Sequence, residues 1–432
     1  MINAVIDFIY NLIVGLLPLV GVIVLGRLAW IFWVHYIQQD FISGIDFVVL
    51  EIIPPRDVLR SPKAMELFLT NALYHWSMKG GKEEFWQGAV WFWFSLEIAS
   101  IEGQVHFYIR TPTRIRGLIE TQMYAQYPQA QIKEVEDYTL AIDEISPESA
   151  WNGWGCEFKL VKHEAFPLKT YVNYGLDKDP KEEFKVDPIS PVIELFGSMQ
   201  KGEQMWMQIV ITPSKKAYHT HGTWFGHHDW VEEAKFQVME LLSPYRRENE
   251  RKTHPGEFTY EYRVPDFLKN SVTMMSAKTG KIGFEAGIRV FYGAKKEVFN
   301  MSNRRNLRLI FRQYAMPDCN ELYRHNSTQA DAYGGIFLAS KETIMLLADR
   351  MLNEFRERSF FHESLRQIIF SKHTIPWPFT TLFFPVYFHP LTFVLNVEEI
   401  ATMWHFPGQI LKVPTLERIE SKEASPPTNL PM

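Results

Sequence analysis

Apolar residues run without a charged side chain from Phe8 to Leu25 (FIYNLIVGLLPLVGVIVL) and resume after Arg27 as LAWIFWV. The 27 residues from Phe8 to Val34 make a helix of about 40 Å, enough to cross a bilayer core of about 30 Å with some tilt. A cleaved signal peptide needs positive charge before the core and small residues after it. Here only Asp7 comes immediately before, and the far end carries Trp30, Phe32, Trp33 and Tyr36, rings suited to a membrane–water interface. The pattern therefore predicts a retained transmembrane helix, kinked and not ended by Pro18, over a buried core helix. Arg27, Arg56, Arg60 and Lys63 follow the span and no Lys or Arg precedes it, which places the following body in the cytoplasm.

Beyond Gln39 the periodicity is that of a water-soluble protein. Residues 46–53 (DFVVLEII) read as a strand, and Ser61-Pro62 as a helix start with Ser as cap, running to about Met78 with Met65, Phe68, Leu69 and Leu73 on one face. Phe94, Leu96 and Ile98 alternate with Ser95, Glu97 and Ala99, predicting a half-buried strand. A turn at Glu102-Gly103 leads to a second strand through Val105, Phe107 and Ile109. Thr111-Pro112 opens a helix through Ile115, Leu118, Ile119 and Met123, and Ala130 to Val135 is strand-like. The order βαββαβ predicts a ferredoxin-like split βαβ unit.

An echo follows. Residues 154–161 and 168–173 read as strands, 191–199 as a short helix, and Met205 to Ile211 (MWMQIVI) as a central strand apolar on both faces. Ile282 to Tyr292 resembles the earlier hairpin and precedes a helix from about Glu297 to Tyr314; two helices, 229–242 and roughly 267–276, are inserted. The expected class is α+β: a transmembrane anchor (1–43), a first ferredoxin-like domain (44–140), a second with helical insertion (141–395), and a C-terminal helix with Pro-rich tail (396–432). A helix over about 341–358 completes the body.

Composition narrows the function. A net charge of −5 and a pI near 6.3 argue against a general nucleic-acid binder. Cys156 and Cys319 lie far apart and form no metal-ligand spacing, which agrees with a cytoplasmic body. Lys278-Thr279-Gly280-Lys281 only superficially resembles a phosphate loop, because no Gly-x4-Gly-Lys-Ser/Thr is present. There is no Gly-x-Ser-x-Gly, HExxH, CxxC or EF-hand pattern either.

Three clusters remain. His219, His221, His227 and His228 could ligate a transition metal, against the simpler reading of a polar loop before a helix. Asp177, Asp179, Glu182 and Glu183 alternate with lysines and read as a solvated surface. Arg304, Arg308 and Arg312, with Arg305 beside them, would line one helix face and meet phosphate, acidic lipid or an acidic partner.

Several long stretches carry a family likeness: IIPPRDVLRSPKAMELF, WFSLEIASIEGQVHFYIRTP, ETQMYAQYPQAQIKEVEDYT and LNVEEIATMWHFPG, with PPTNLP near the end. Together they resemble the N-terminal, non-catalytic region of TraC/HerA-like ATPases of type IV secretion and conjugation systems. The likeness is to its stand-alone, membrane-anchored form from small-genome uncultivated bacteria. It covers nearly all of residues 44–432. Glu398, Glu399 and His405, with Phe406, Pro407 and Gly408, match its most recognisable motif, read as a helix halted by Pro-Gly, with capping as the default role and partner docking second. The resemblance transfers no catalytic residue and no cofactor.

The resulting expectation is a non-enzymatic, single-pass accessory subunit at the inner (cytoplasmic) membrane, docking a separately encoded motor ATPase and able to oligomerise. The alternatives are a membrane-tethered subunit guiding nucleic acid along the Arg304, Arg308 and Arg312 stripe, and a metal-dependent membrane enzyme using the histidines.

Overall fold

The computed structural model describes residues 2–55, 60–74, 81–178, 186–214, 218–219, 227–250, 258–262, 264–328, 341–362 and 391–408. Along these run α1 (Ile2–Ser43), β1 (Phe47–Ile53), α2 (Lys63–Leu73), α3 (Gly81–Trp86), β2 (Phe94–Ile101), β3 (Gln104–Pro112), α4 (Arg116–Gln126), β4 (Gln131–Val135) and β5 (Trp151–Leu160). Then come α5 (Ser190–Gly197), β6 (Glu203–Pro213), β7 (Tyr218–His219), β8 (His227–His228), α6 (Trp230–Leu242), β9 (Arg246–Glu250), β10 (Phe258–Tyr262), α7 (Asp266–Thr279) and β11 (Gly283–Lys295). The order closes with α8 (Met301–Arg308), β12 (Leu322–Ser327), α9 (Lys341–Glu357), β13 (Phe393–Asn396) and α10 (Val397–Met403).

The architecture is mixed α+β around one antiparallel sheet, ordered β12-β5-β11-β6-β2-β3-β1-β4, with β13 added along the start of β11. The two halves of the chain lay down their strands alike. Reading inward from its outer edge, each half presents its fourth, first, third and second strand: β4-β1-β3-β2, then β12-β5-β11-β6. They join where β2 pairs with β6, Glu97 opposite Gln208. That junction is interior, so β6 is buried along its whole length, as its unbroken apolar run requires. The residues between β6 and β11 form the insertion, whose α6 and α7 close on Ala234 and Met275.

The sheet has two unlike faces. One packs α2, α4, α5, α8 and α10 through a large apolar core that includes Phe68, Leu96, Phe107, Met207, Ile209 and Trp404. The other is covered by α9, whose Leu347, Met351, Leu352 and Phe355 meet Trp206 and Phe291. Because α9 lies there, β2 is buried on both faces. The alternation at Ser95, Glu97 and Ala99 therefore marks a second interior, where the sequence pattern had predicted solvent.

Other local expectations are corrected by the structure. Residues 168–170 are irregular and 171–173 form turns, so no strand runs there. Asn173 Oδ1 accepts from the Thr170 N–H, while the N–H groups of Leu168, Lys169 and Tyr171 go to Glu399, Tyr314 and Thr402, so none is left for a ladder. The segment likened to a hairpin is one 13-residue strand, β11. Its Gly287 makes no turn and instead leaves room for Phe360, whose ring would lie 2.3 Å from an added Cβ.

The helix expected over 297–314 stops at Arg308; Leu309, Ile310, Arg312 and Tyr314 then donate to carbonyls three residues back. The tighter turn seats Ile310, Phe311 and Tyr314 together in the core and takes Arg312 off the stripe. Helix α2 begins at Lys63 without any side-chain cap, so Ser61 does not play the part its position predicts. The end of that helix beyond Tyr74, most of the acidic cluster, and the Pro-rich tail lie outside the described residues.

Candidate functional site

Helix α1 is long and apolar enough to cross a membrane, and the window that qualifies, within Gly21–Ser43, is 6% buried. At 42 residues it is about 63 Å long, roughly twice the thickness of a bilayer core. Its last turns are packed onto the body. Phe41 and Ile42 meet Val90, Trp93, Val210 and Phe360 on the α9 side of the sheet. One step toward the apolar stretch, Trp33 Nε1–H donates to the Phe85 carbonyl (3.3 Å), Trp33 lies edge-on to Trp86 at 6.2 Å, and Trp30 sits 5.8 Å from Phe85.

Gly88 makes this joint possible. At φ +66° an added Cβ would stand 2.1 Å from the Ile37 carbonyl oxygen, a contact no other residue can make. Trp86 remains 65% exposed beside this joint. Ring-bearing helices that keep one apolar side uncovered next to a membrane span are suited to the headgroup layer. The aromatic residues at this end of α1 were legible in the sequence, but their packing against α3 was not. Its signal is the run Trp86, Trp91, Phe92 and Trp93 around Gly88.

A second feature lies under α9. Successive register partners His325, Glu157, Arg289, Gln208, Glu97, Tyr108, Glu51 and Lys133 form one row across eight strands. Directly opposed residues share a face, so this polar row crosses the α9 side. Its middle is fully enclosed: Arg289 meets Glu157 at 2.7 Å, and Glu97 accepts from Arg358 (3.0 Å), Tyr138 (2.7 Å) and Gln208 (3.1 Å). Arg289 also donates to the Glu354 and Ser359 carbonyls, and Gln208 to that of Phe355, so the row holds the end of α9.

Arg358 follows α9 at φ +55°, a left-handed position where glycine is the usual residue. Its guanidinium spans Glu97 and Asp137. Burial raises the Asp137 pKa, but the bonds from Arg358 and Thr139 outweigh it and hold the carboxyl below its usual range. Burial raises Glu354 above its usual range despite Arg289.

The residues singled out in the sequence are scattered. Glu399 is buried, accepts from Leu168 N–H and Lys278 Nζ, and completes a capping box with Asn396. Glu398 pairs with Lys281 at 2.5 Å, and Thr170 donates to it. His405 Nε2 lies 3.0 Å from Asp187, and its Nδ1 is 2.9 Å from the Ala401 carbonyl. All three hold α10 against the body, Glu399 and His405 in its interior and Glu398 at its half-exposed side.

His219, His227 and His228 belong to the two-residue strands β7 and β8, and His221 lies outside the described residues. No group of three or more metal-binding side chains occurs among the described residues. Arg304, Arg305 and Arg308 share a hollow with Trp154, and Arg312 lies outside it. Cys156 and Cys319 are free and buried.

No curated protein matches this chain. A family model matches residues 92–364, from just before β2 to just past the end of α9, and so leaves out β1 and α2. The chain belongs to the family that this model defines, a domain of unknown function (DUF8128).

Proposed function

We propose that this protein is a non-enzymatic accessory subunit, held in the cytoplasmic membrane by α1 with its body in the cytoplasm, that docks a separately encoded motor ATPase of a type IV secretion or conjugation-like system. The observation that carries the reading is the joint between α1 and the body. A flexible tether would leave the body free to tumble, whereas Trp33 and Ile37 of α1 close on Phe85 and Gly88 at α3, and Phe41 and Ile42 seat its end against Val210 of the sheet. A partner held there gains effective concentration and also a fixed orientation.

We read each half of the sheet as a ferredoxin-like unit. In support, each half is a βαββαβ succession with the strand order fourth, first, third, second. The resemblance to the accessory region of motor ATPases supports the partner class, and the basic residues after the span support the orientation.

The test is purification of the full-length protein from its native membranes in mild detergent. A hexameric ATPase should accompany it, and Gly88→Val should reduce the recovery while leaving membrane insertion intact. Recovery without any such ATPase, at low and at physiological salt, rejects the proposal.

A further inference from the structure

We propose that Arg304, Arg305 and Arg308 of α8, with Ser302 and Trp154, form a binding site for a phosphate-type oxyanion. These residues line one hollow of about 240 Å³, many times the roughly 10–15 Å³ that a single water needs. Among the described residues none of the three arginines has a carboxylate partner, although the chain as a whole is acidic, with a net charge of −5. No acidic residue lies on α8 itself (MSNRRNLR) to neutralise them. Concentrating three guanidinium groups without a counter-charge costs electrostatic energy that a bound anion relieves.

Trp154 supplies a second, independent mark. It is 2% exposed, and its indole N–H is buried without an acceptor. A buried donor left unpaired costs about 1–3 kcal/mol, and nearly all such groups in folded proteins have a partner. An oxyanion drawn in by the arginines brings acceptor oxygens to the residue that lacks one. The end of α8 at Arg308 matters here, since the turn after Leu309 carries Arg312 away and leaves a compact triad in place of a linear stripe.

Position decides the source of the anion. The joint with α1 is on the α9 face of the sheet, at the level of Val210 opposite Gly287. Trp154 and Leu307 belong to the other face, and Trp154 stands opposite Tyr292. Five residues along β11 separate the two levels, about 17 Å at 3.3 Å per residue. The hollow thus lies on the opposite face of the sheet from the joint and further along it. This separation from the joint favours a phosphate group borne in solution over a lipid headgroup. This choice of source rests on α1 spanning the bilayer; the hollow itself does not.

The experiment uses full-length protein in neutral detergent, with inorganic phosphate titrated against chloride at matched ionic strength and unfolding temperature and calorimetric heat as readouts. Phosphate should raise the unfolding temperature. Arg304→Ala and Arg308→Ala should each weaken its Kd by about tenfold or more, the equivalent of losing one charge-assisted hydrogen bond, and Arg312→Ala should leave it unchanged. The titration is then repeated in nanodiscs of phosphatidylcholine with or without phosphatidylserine, and the Kd should be the same in both. No response beyond chloride, or equal loss in Arg312→Ala, overturns the site. Competition by phosphatidylserine overturns the assignment to a soluble ligand. None of these readouts depends on an ATPase partner.

Discussion

The two faces of the sheet are closed by different physics. On the face under α2, α4, α5, α8 and α10, the strands present Leu50, Leu96, Phe107, Met207 and Ile288, and the helices add apolar side chains of matching size. On the face under α9, the same strands present Glu51, Glu97, Tyr108, Gln208 and Arg289 in one row. An apolar contact is tolerant of direction; it needs volume filled and water excluded. A buried ion pair is not, because each lone pair and proton needs its own partner in place. The comparison teaches that α2 and α4 are held mainly by bulk, with ion pairs only at their half-exposed sides, whereas α9 is held in one register, with its end fixed by buried groups of Gln208, Arg289 and Arg358.

Breaking one ion pair should therefore cost most. Arg358→Met leaves Glu97 enclosed with Ser95, Tyr138 and Gln208 but no cation hydrogen-bonded to it, and should lower stability by about 3–5 kcal/mol, measured by chemical denaturation in detergent. The double variant Glu97→Gln/Arg358→Met should regain much of the loss, since it removes the stranded charge. If the double variant is as unstable as the sum of the single ones, packing and not charge holds α9. The same cluster shapes the acid limb. Asp137 has a folded pKa below its unfolded value, so its contribution is complete above the unfolded pKa, near 4. That contribution is lost as pH falls through the depressed folded value. Glu354, raised by burial, acts in the opposite sense and gains stability as it takes up a proton. Asp137→Asn should flatten the decline in unfolding temperature below pH 4; an unchanged decline means the pair does not form in solution.

On the apolar face the expected loss is gentler. Ile98→Val removes one buried methylene beneath the helices and should cost about 0.5–1.5 kcal/mol. A larger loss, near that of Arg358→Met, means the apolar face is as exacting as the charged one and erases the contrast.

How far the sequence revealed this follows from the same contrast. Periodicity finds elements that bury one apolar side, so β1 to β4, β6, α5, α6, α7 and α9 were legible to within a few residues. It misreads a second interior lined with polar groups: Glu97 looks like a solvent residue until α9, more than two hundred residues later in the chain, is laid over it. It also missed that 168–173 gives its N–H groups to distant acceptors, and that Leu309 ends α8, because both depend on tertiary partners. The arginines were legible as cations, but their grouping with Trp154 was not; only the break after Arg308 and the neighbouring strand β5 create the hollow.

The smallest expected effects concern helix starts, and they separate packing from local bonding most cleanly. Helix α10 has its capping box in place: Asn396 Oδ1 accepts from Glu399 N–H at 2.8 Å, and Glu399 accepts from the Asn396 N–H at 2.8 Å. Asn396→Ala should cost about 1 kcal/mol. Helix α2 starts after Ser61 without any side-chain cap; Met65, Phe68, Leu69 and Ala72 hold it by burial, and its polar ties, from Lys281 and Tyr171 to Glu66, lie past its start. Ser61→Ala should accordingly change stability by less than about 0.5 kcal/mol. A loss near 1 kcal/mol at Ser61 would show that its hydroxyl does cap the helix in solution. The start of α2 would then owe part of its order to a directed bond, as that of α10 does.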